Sequence, residues 1–225
     1  MRKLRVVYSK SKEAIYLSHL DMVRVFETAL ARADIIVEYT KGFNPRPEIV
    51  FAHPLSVGIE STGEIFEVNL GEELEIPYFI RELNKVLPSG VTVLSAEYVD
   101  ETEKNIMSRV YAATYIIELI YEEKKIIDLN NKEILDLKED YNKKMEDYLL
   151  QESILVLKKS KDRMERIDIK PQILSFEFTL DGALEVTIST GSKNNLKPDI
   201  IMTGYIEFID EDIKYNIKRT KILYD

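Results

Sequence analysis

The sequence predicts an α+β fold built as two tandem ferredoxin-like (βαββαβ) halves, with antiparallel sheets and helices on one face. Three observations lead there. Residues 1–100 alternate strand-like and helix-like segments in the order strand, helix, strand, strand, helix, strand. A comparable order restarts at residue 111 and runs to 225. Residues 101–110 between them are polar and acidic, the composition of a linker.

Each element of the first half has a local reason. Residues 4–8 (LRVVY) are β-branched and aromatic, suited to a half-buried pleated surface. Ser18 and Asp21 then form a capping box, and Leu20, Val23, Phe26, Leu30 and Ala33 follow at a helical period, so a helix is expected over 18–33. Residues 35–40 are expected as a strand, followed by a stiff loop, Lys41-Gly42-Phe43-Asn44-Pro45-Arg46-Pro47, in which prolines fix φ and remove donors. Residues 48–52 are strand-like and stop before Pro54, and Ser61-Thr62-Gly63 is expected as a turn before a strand carrying Ile65, Phe66, Val68 and Leu70. Pro77 suits the first turn of a helix with the stripe Phe79, Ile80, Leu83, Val86. Pro88-Ser89-Gly90 ends it, and 91–99 is the last strand.

The second half, 111–225, opens with a strand over 111–121 and a charged helix over 132–150. A short strand at 154–157 precedes strands over 167–180 and 183–190, joined by the Asp181-Gly182 hairpin turn. A short helix at 198–204 and a closing strand at 215–223 complete it.

Composition narrows the chemistry. A chain with 45% hydrophobic residues, 7 Pro and 8 Gly is globular. No apolar run approaches a membrane span and the N-terminus is not a secretory signal, so a cytoplasmic protein with no membrane partner is expected. The absence of cysteine rules out disulfides, thiolate metal sites and thiolate-held clusters. The net charge of −9 is uneven: residues 1–50 hold 9 Lys and Arg against 6 Asp and Glu, so the opening stretch is the cationic part.

Candidate site residues concentrate in that stretch. His19 sits in the first turn of the expected helix, with Asp21 placed to orient it and Arg24 one turn on, so His19 is the candidate general acid or base. Tyr16, Ser18 and Arg24 are candidate binding residues at a helix N-terminus, an anion-favouring position. The plain alternative is that Ser18 and Asp21 only cap the helix. Lys41, Asn44 and Arg46 are presented by the stiff loop, which lowers the ordering cost of binding, and Arg46 suits a carboxylate or phosphate. The alternative is a tight connection whose prolines only set direction. Lys170 and Arg219 are candidate binding residues of the second half, where Arg163 and Arg166 could share a groove with Arg219 or be ordinary sheet-edge charge. No metal is expected, because His19 and His53 are the only imidazoles and lie 34 residues apart. No P-loop, GxGxxG or G-x-S-x-G occurs, and no cofactor is expected.

Tyr16-Leu17-Ser18-His19-Leu20-Asp21, Gly42-Phe43-Asn44-Pro45-Arg46-Pro47 and Leu55-Ser56-Val57-Gly58-Ile59-Glu60 occur in order, and together the chain resembles a bacterial family of unassigned function, the radical-SAM-linked or radical-SAM-associated proteins. Asp168-Ile169-Lys170-Pro171, Lys197-Pro198-Asp199 and Arg219-Thr220 look like the family's second-half signatures, with Lys197 standing where Arg is frequent. The resemblance implies partnership with a radical S-adenosylmethionine enzyme. Lacking cysteine, this chain would be the partner and not the radical generator. The expected function is a non-catalytic accessory or substrate-binding module for that enzyme, with RNA as a candidate ligand to present. The alternative is a metal-independent, RNA-processing type of enzyme using His19.

Overall fold

A computed structural model describes residues 2–120, 131–160, 163–192 and 194–225. The chain forms a mixed α+β fold, mostly antiparallel, divided into two compact units: Met1–Tyr111 with Lys218–Asp225, and Ala112–Ile217. The sequence had assigned the last eight residues to the second half; their side chains explain the difference. Ile222 packs with Ala52, Ile65, Ile106 and Val110, and the Tyr224 ring lies under the Arg5 guanidinium at 4.8 Å.

In the first unit, β1 (Lys3–Lys10) pairs antiparallel with β3 (Glu60–Asn69) on one side and β4 (Val91–Tyr98) on the other. The short β2 (Ile49–Phe51) adds to β3, setting Phe51 opposite Phe66. The order is β4-β1-β3, with β2 beyond β3. Lys218 and Arg219, in β10 (Lys214–Tyr224), pair parallel with Glu60 and Ser61 of β3. Helices α1 (His19–Arg32) and α2 (Ile76–Val86) bury Met22, Phe26, Ala29, Leu30, Phe79 and Leu83 against Leu4, Val6, Tyr8, Phe66, Val68, Val91 and Val93. The stripe over 18–33 thus forms the helix its period predicted. Residues 101–110, expected as a linker, pack on this unit. Ile106, in the short α3 (Ile106–Arg109), is fully buried, and its amide donates to Glu67 Oε2 (3.0 Å).

Two local expectations change. Residues 35–40 make only isolated bridges, Val37 to Leu70 and Tyr39 to Pro47, because the segment doubles back through the loop. Ser61-Thr62-Gly63 is not a turn but lies within β3. Gly63 is needed there for close backbone approach: a Cβ would stand 2.2 Å from Thr220 O.

In the second unit, β5 (Val110–Ile120), β9 (Leu184–Ser189) and β8 (Ile173–Phe178) form an antiparallel sheet in the order β5-β9-β8. The expected end of the first strand, Tyr121, lies outside the described residues. A separate hairpin joins β6 (Leu155–Ser160) to β7 (Arg163–Asp168). The strand expected over 167–180 is broken at Lys170–Gln172 by a 3₁₀ turn that holds Pro171, where a ladder amide is missing. Gly182, at φ +85°, closes the predicted β8–β9 hairpin. Helices α4 (Asn131–Leu149) and α5 (Pro198–Ile209) bury Tyr141, Met145, Tyr148, Leu149, Ile201, Met202 and Tyr205. Helix α5 runs past the expected 204, and Gly204 within it marks a close contact, its Cβ position lying 2.2 Å from Tyr148 Oη.

Candidate functional site

The start of α1 is a complete capping box. Ser18 Oγ accepts from the Asp21 amide (3.3 Å) and donates to Asp21 Oδ2 (2.6 Å), which also accepts from the Ser18 amide (3.1 Å). These hydrogen bonds hold the Asp21 carboxyl below its usual range. Asp21 also lies 3.7 Å from the exposed Arg24. Its carboxylate is therefore engaged with Ser18 and Arg24. His19 turns to the sheet instead, its ring edge-on to Phe51 with centroids 5.3 Å apart. Tyr16 and Leu20 project to solvent on either side.

Beneath His19 lies a polar cluster that sequence reasoning largely missed. Arg219 and Glu64 are 0% and 3% exposed; Arg219 Nε donates to Glu64 Oε1 (2.7 Å) and Nη2 bonds Glu64 Oε2, a bidentate pair. Arg219 Nη2 also donates to the His53 carbonyl (3.0 Å), and the Arg219 carbonyl accepts from Ser61 Oγ (3.0 Å). Lys10, 2% exposed, donates from Nζ to the Leu17 carbonyl (2.7 Å), just before the capping residue. Arg219 thus ties the His53 segment to Glu64, and Lys10 holds the segment that leads into His19. The only sequence signal was polar residues at Lys10 and Glu64 within apolar strands, a pattern that sheet edges also show.

The electrostatics follow from burial. Burial lowers the His19 imidazole, opposed by the Glu64 charge. His53 is lowered further, to about 4, by burial first, then by Arg219 and His19, with Glu64 opposing. Both rings are neutral at neutral pH. A stability dependence follows for His53. Between pH 6.5 and about 4 the unfolded chain takes up a proton there and the folded chain does not; above that window neither is protonated, and below it both are. Unfolding free energy should therefore fall as pH drops through that window. The full shift corresponds to about 3 kcal/mol, and solvent screening at a half-buried ring reduces it to about half. Urea unfolding of the wild type and His53→Gln should diverge over this range, the wild type losing more; parallel curves would contradict the assignment.

Lys41, Asn44 and Arg46 stand on the loop, all exposed, with Phe43 between them fully in solvent. The loop is closed at its neck: Thr40 N donates to Arg46 O (2.8 Å), and Arg46 N donates to Thr40 Oγ1 (3.1 Å). At its base, Thr40, Pro47 and Glu48 border a cavity of about 490 Å³ whose lining includes Glu38, Glu67, Glu101 and Glu103.

Lys170 serves its own unit, donating from Nζ to the Leu149 carbonyl at the end of α4, while Asp168 Oδ1 accepts from the Ile154 and Lys170 amides. Arg166 lies 3.8 Å from Glu207, both exposed. Arg219 and Arg166 belong to different units, and the side chain of Arg163 lies outside the described residues. Among the described residues no group of three or more His, Asp or Glu is arranged to hold a metal ion, and no helix is long and apolar enough to cross a membrane.

Fold and site together define an α+β protein with a buried carboxylate–guanidinium pair under a histidine-bearing helix start and an exposed cationic loop. The chain belongs to a bacterial family described as uncharacterized protein conserved in bacteria (DUF2344), whose model matches residues 3–198. No curated protein matches it. Among solved structures, it is similar to an unknown protein from Galdieria sulphuraria, at 10% identity and a TM-score of 0.30, over 97% of this chain and 98% of that one.

Proposed function

We propose that this protein is a non-catalytic accessory module that binds RNA through the 40–46 loop and presents it to a radical S-adenosylmethionine enzyme. The observation that carries the binding role is the fully exposed Phe43 set among Lys41, Asn44 and Arg46 on a loop closed by two hydrogen bonds. An aromatic face with flanking cations suits single-stranded nucleic acid, by stacking and phosphate contact, and pre-closure lowers the ordering cost. The radical enzyme as partner rests on the resemblance of the three motifs. Strand order in the first unit, β4-β1-β3-β2, with α1 and α2 packed against the sheet, supports reading that unit as a ferredoxin-like half. The second unit fits the same plan with the β6–β7 hairpin as an insertion.

An acid–base role for His19 is the second reading. It rests on the neutral, half-buried imidazole, and it needs an orienting group other than Asp21.

Filter binding of single-stranded RNA tests the first reading. Phe43→Ala should weaken binding by about 1–3 kcal/mol. Lys41→Ala and Arg46→Ala should each lower the salt slope by about one. Equal binding by all three variants and the wild type would remove the RNA role. Co-purification with the radical enzyme, with and without RNA, tests the partnership independently.

A further inference from the structure

A groove of about 540 Å³ opens between α1 and the C-terminal end of α2, wholly within the first unit. Its floor is aliphatic. Val25 and Ala29, one turn apart on α1, line one side, and Val86, Leu87 and Pro88, at the end of α2 and just beyond it, line the other. Val25, Val86 and Leu87 are only half-buried, so apolar surface is left to water there. The rim is cationic. Arg24, Thr28 and Arg32 recur at every fourth residue and so stand in one line along α1, the two arginines about 12 Å apart along the axis. Both arginines are exposed. Among the described residues Arg24 pairs with Asp21 alone, at 3.7 Å, and Arg32 pairs with no carboxylate. Lys85 stands on the opposite wall, but Glu82 holds it at 2.8 Å, so the arginines offer the available charge.

We infer that this groove docks an acidic, leucine-bearing helical segment of a partner protein. The wall of α1 from Asp21 to Arg32 is about 16 Å long, room for about three turns of a second helix. Two leucines at i and i+4 of that helix fill the aliphatic floor, the usual way an amphipathic helix enters a groove. Carboxylates two turns apart on its flank then meet Arg24 and Arg32, whose guanidinium forks suit them. Other anions fit the groove less well. A nucleic-acid strand gains much of its affinity from stacking, and none of the lining side chains is aromatic. A small carboxylate would meet one arginine and leave the other, two turns away, without a partner. The docking makes no use of the 40–46 loop, so it stands or falls separately from the RNA-presenting role.

The test uses the full chain and a synthetic helical peptide with blocked ends, leucines at i and i+4, and glutamates two turns apart beside them. Backbone-amide NMR titration should show saturable shifts at Val25, Ala29, Val86 and Leu87. The double variant Arg24→Glu, Arg32→Glu should weaken binding at least about tenfold, because like charges then stand opposite each other. Both side chains are exposed, so the variant keeps the fold. A second peptide with lysines in place of the glutamates should bind that variant and not the wild type, an exchange that structural damage does not produce. Serines in place of both leucines should lower affinity about tenfold or more, through the lost apolar burial. No saturable shift, shifts confined to other residues, or equal binding of both charged peptides to wild type and variant overturns the site. Self-association in sedimentation equilibrium that the double variant abolishes makes the occupant a second copy of this chain, and tighter binding of an oligoribonucleotide at the same amides makes it RNA. Either result overturns the partner segment.

Discussion

Replacing Arg219 with Met should lower the unfolding free energy by about 3–5 kcal/mol, the usual cost of breaking a buried ion pair from one side. Arg219 and Glu64 are among the most buried charged residues of the first unit, and the guanidinium meets the carboxylate with two of its nitrogens. Without it Glu64 loses the group that neutralises it, and the His53 carbonyl loses a donor. A second readout follows from charge. Arg219 helps to depress His53, so the His53 pKa should rise from about 4 in any Arg219→Met molecules that remain folded. Urea unfolding gives the first number and NMR titration the second. A loss under about 1 kcal/mol, within the range of a surface pair, would mean that the pair is better solvated than its burial indicates.

Phe51→Ala should cost about 3–5 kcal/mol, the range for removing a buried aromatic ring. Phe51 sits on the short β2 yet is buried, and its ring lies within 6.3 Å of Tyr8, 5.9 Å of Phe26 and 5.6 Å of Phe66. It also seats His19, edge-on at 5.3 Å. Opening that space lets water reach the imidazole, and burial is the leading cause of its lowered pKa. The His19 pKa should therefore move up towards 6.5 as stability falls. A stability loss with no movement of His19 would separate the core role of Phe51 from its role at the site.

The sequence carried far where a local rule was enough. The capping box at Ser18 and Asp21 and the helical period of Leu20, Val23, Phe26, Leu30 and Ala33 specify α1 through hydrogen bonds and a pattern contained within residues 18–33, although Leu20 is exposed and Met22 and Ala29 join Phe26 and Leu30 on the buried face. The Asp181-Gly182 hairpin is as local, since Gly182 supplies the positive φ itself. Local reading failed where a distant segment sets the environment. Ser61-Thr62-Gly63 has the composition of a turn but is strand, because β10 runs beside it and only glycine admits Thr220 O at that distance. Asp21 was expected to orient His19; the capping-box spacing does return its carboxylate to Ser18, but no local rule could tell that the ring would meet Phe51, 32 residues away.

By itself, then, the sequence determined the α+β class, the helix start, the exposed cationic loop and the exclusion of thiol and cluster chemistry, each a property of composition or of neighbours along the chain. Only the tertiary structure decided that Lys10, Glu64 and Arg219 converge beneath the two histidines. Glu64 and Arg219 are 155 residues apart, and their pairing depends on the C-terminal strand returning to the first unit. Burial then lowers both imidazoles, with Glu64 opposing at each ring and Arg219 adding to the shift at His53.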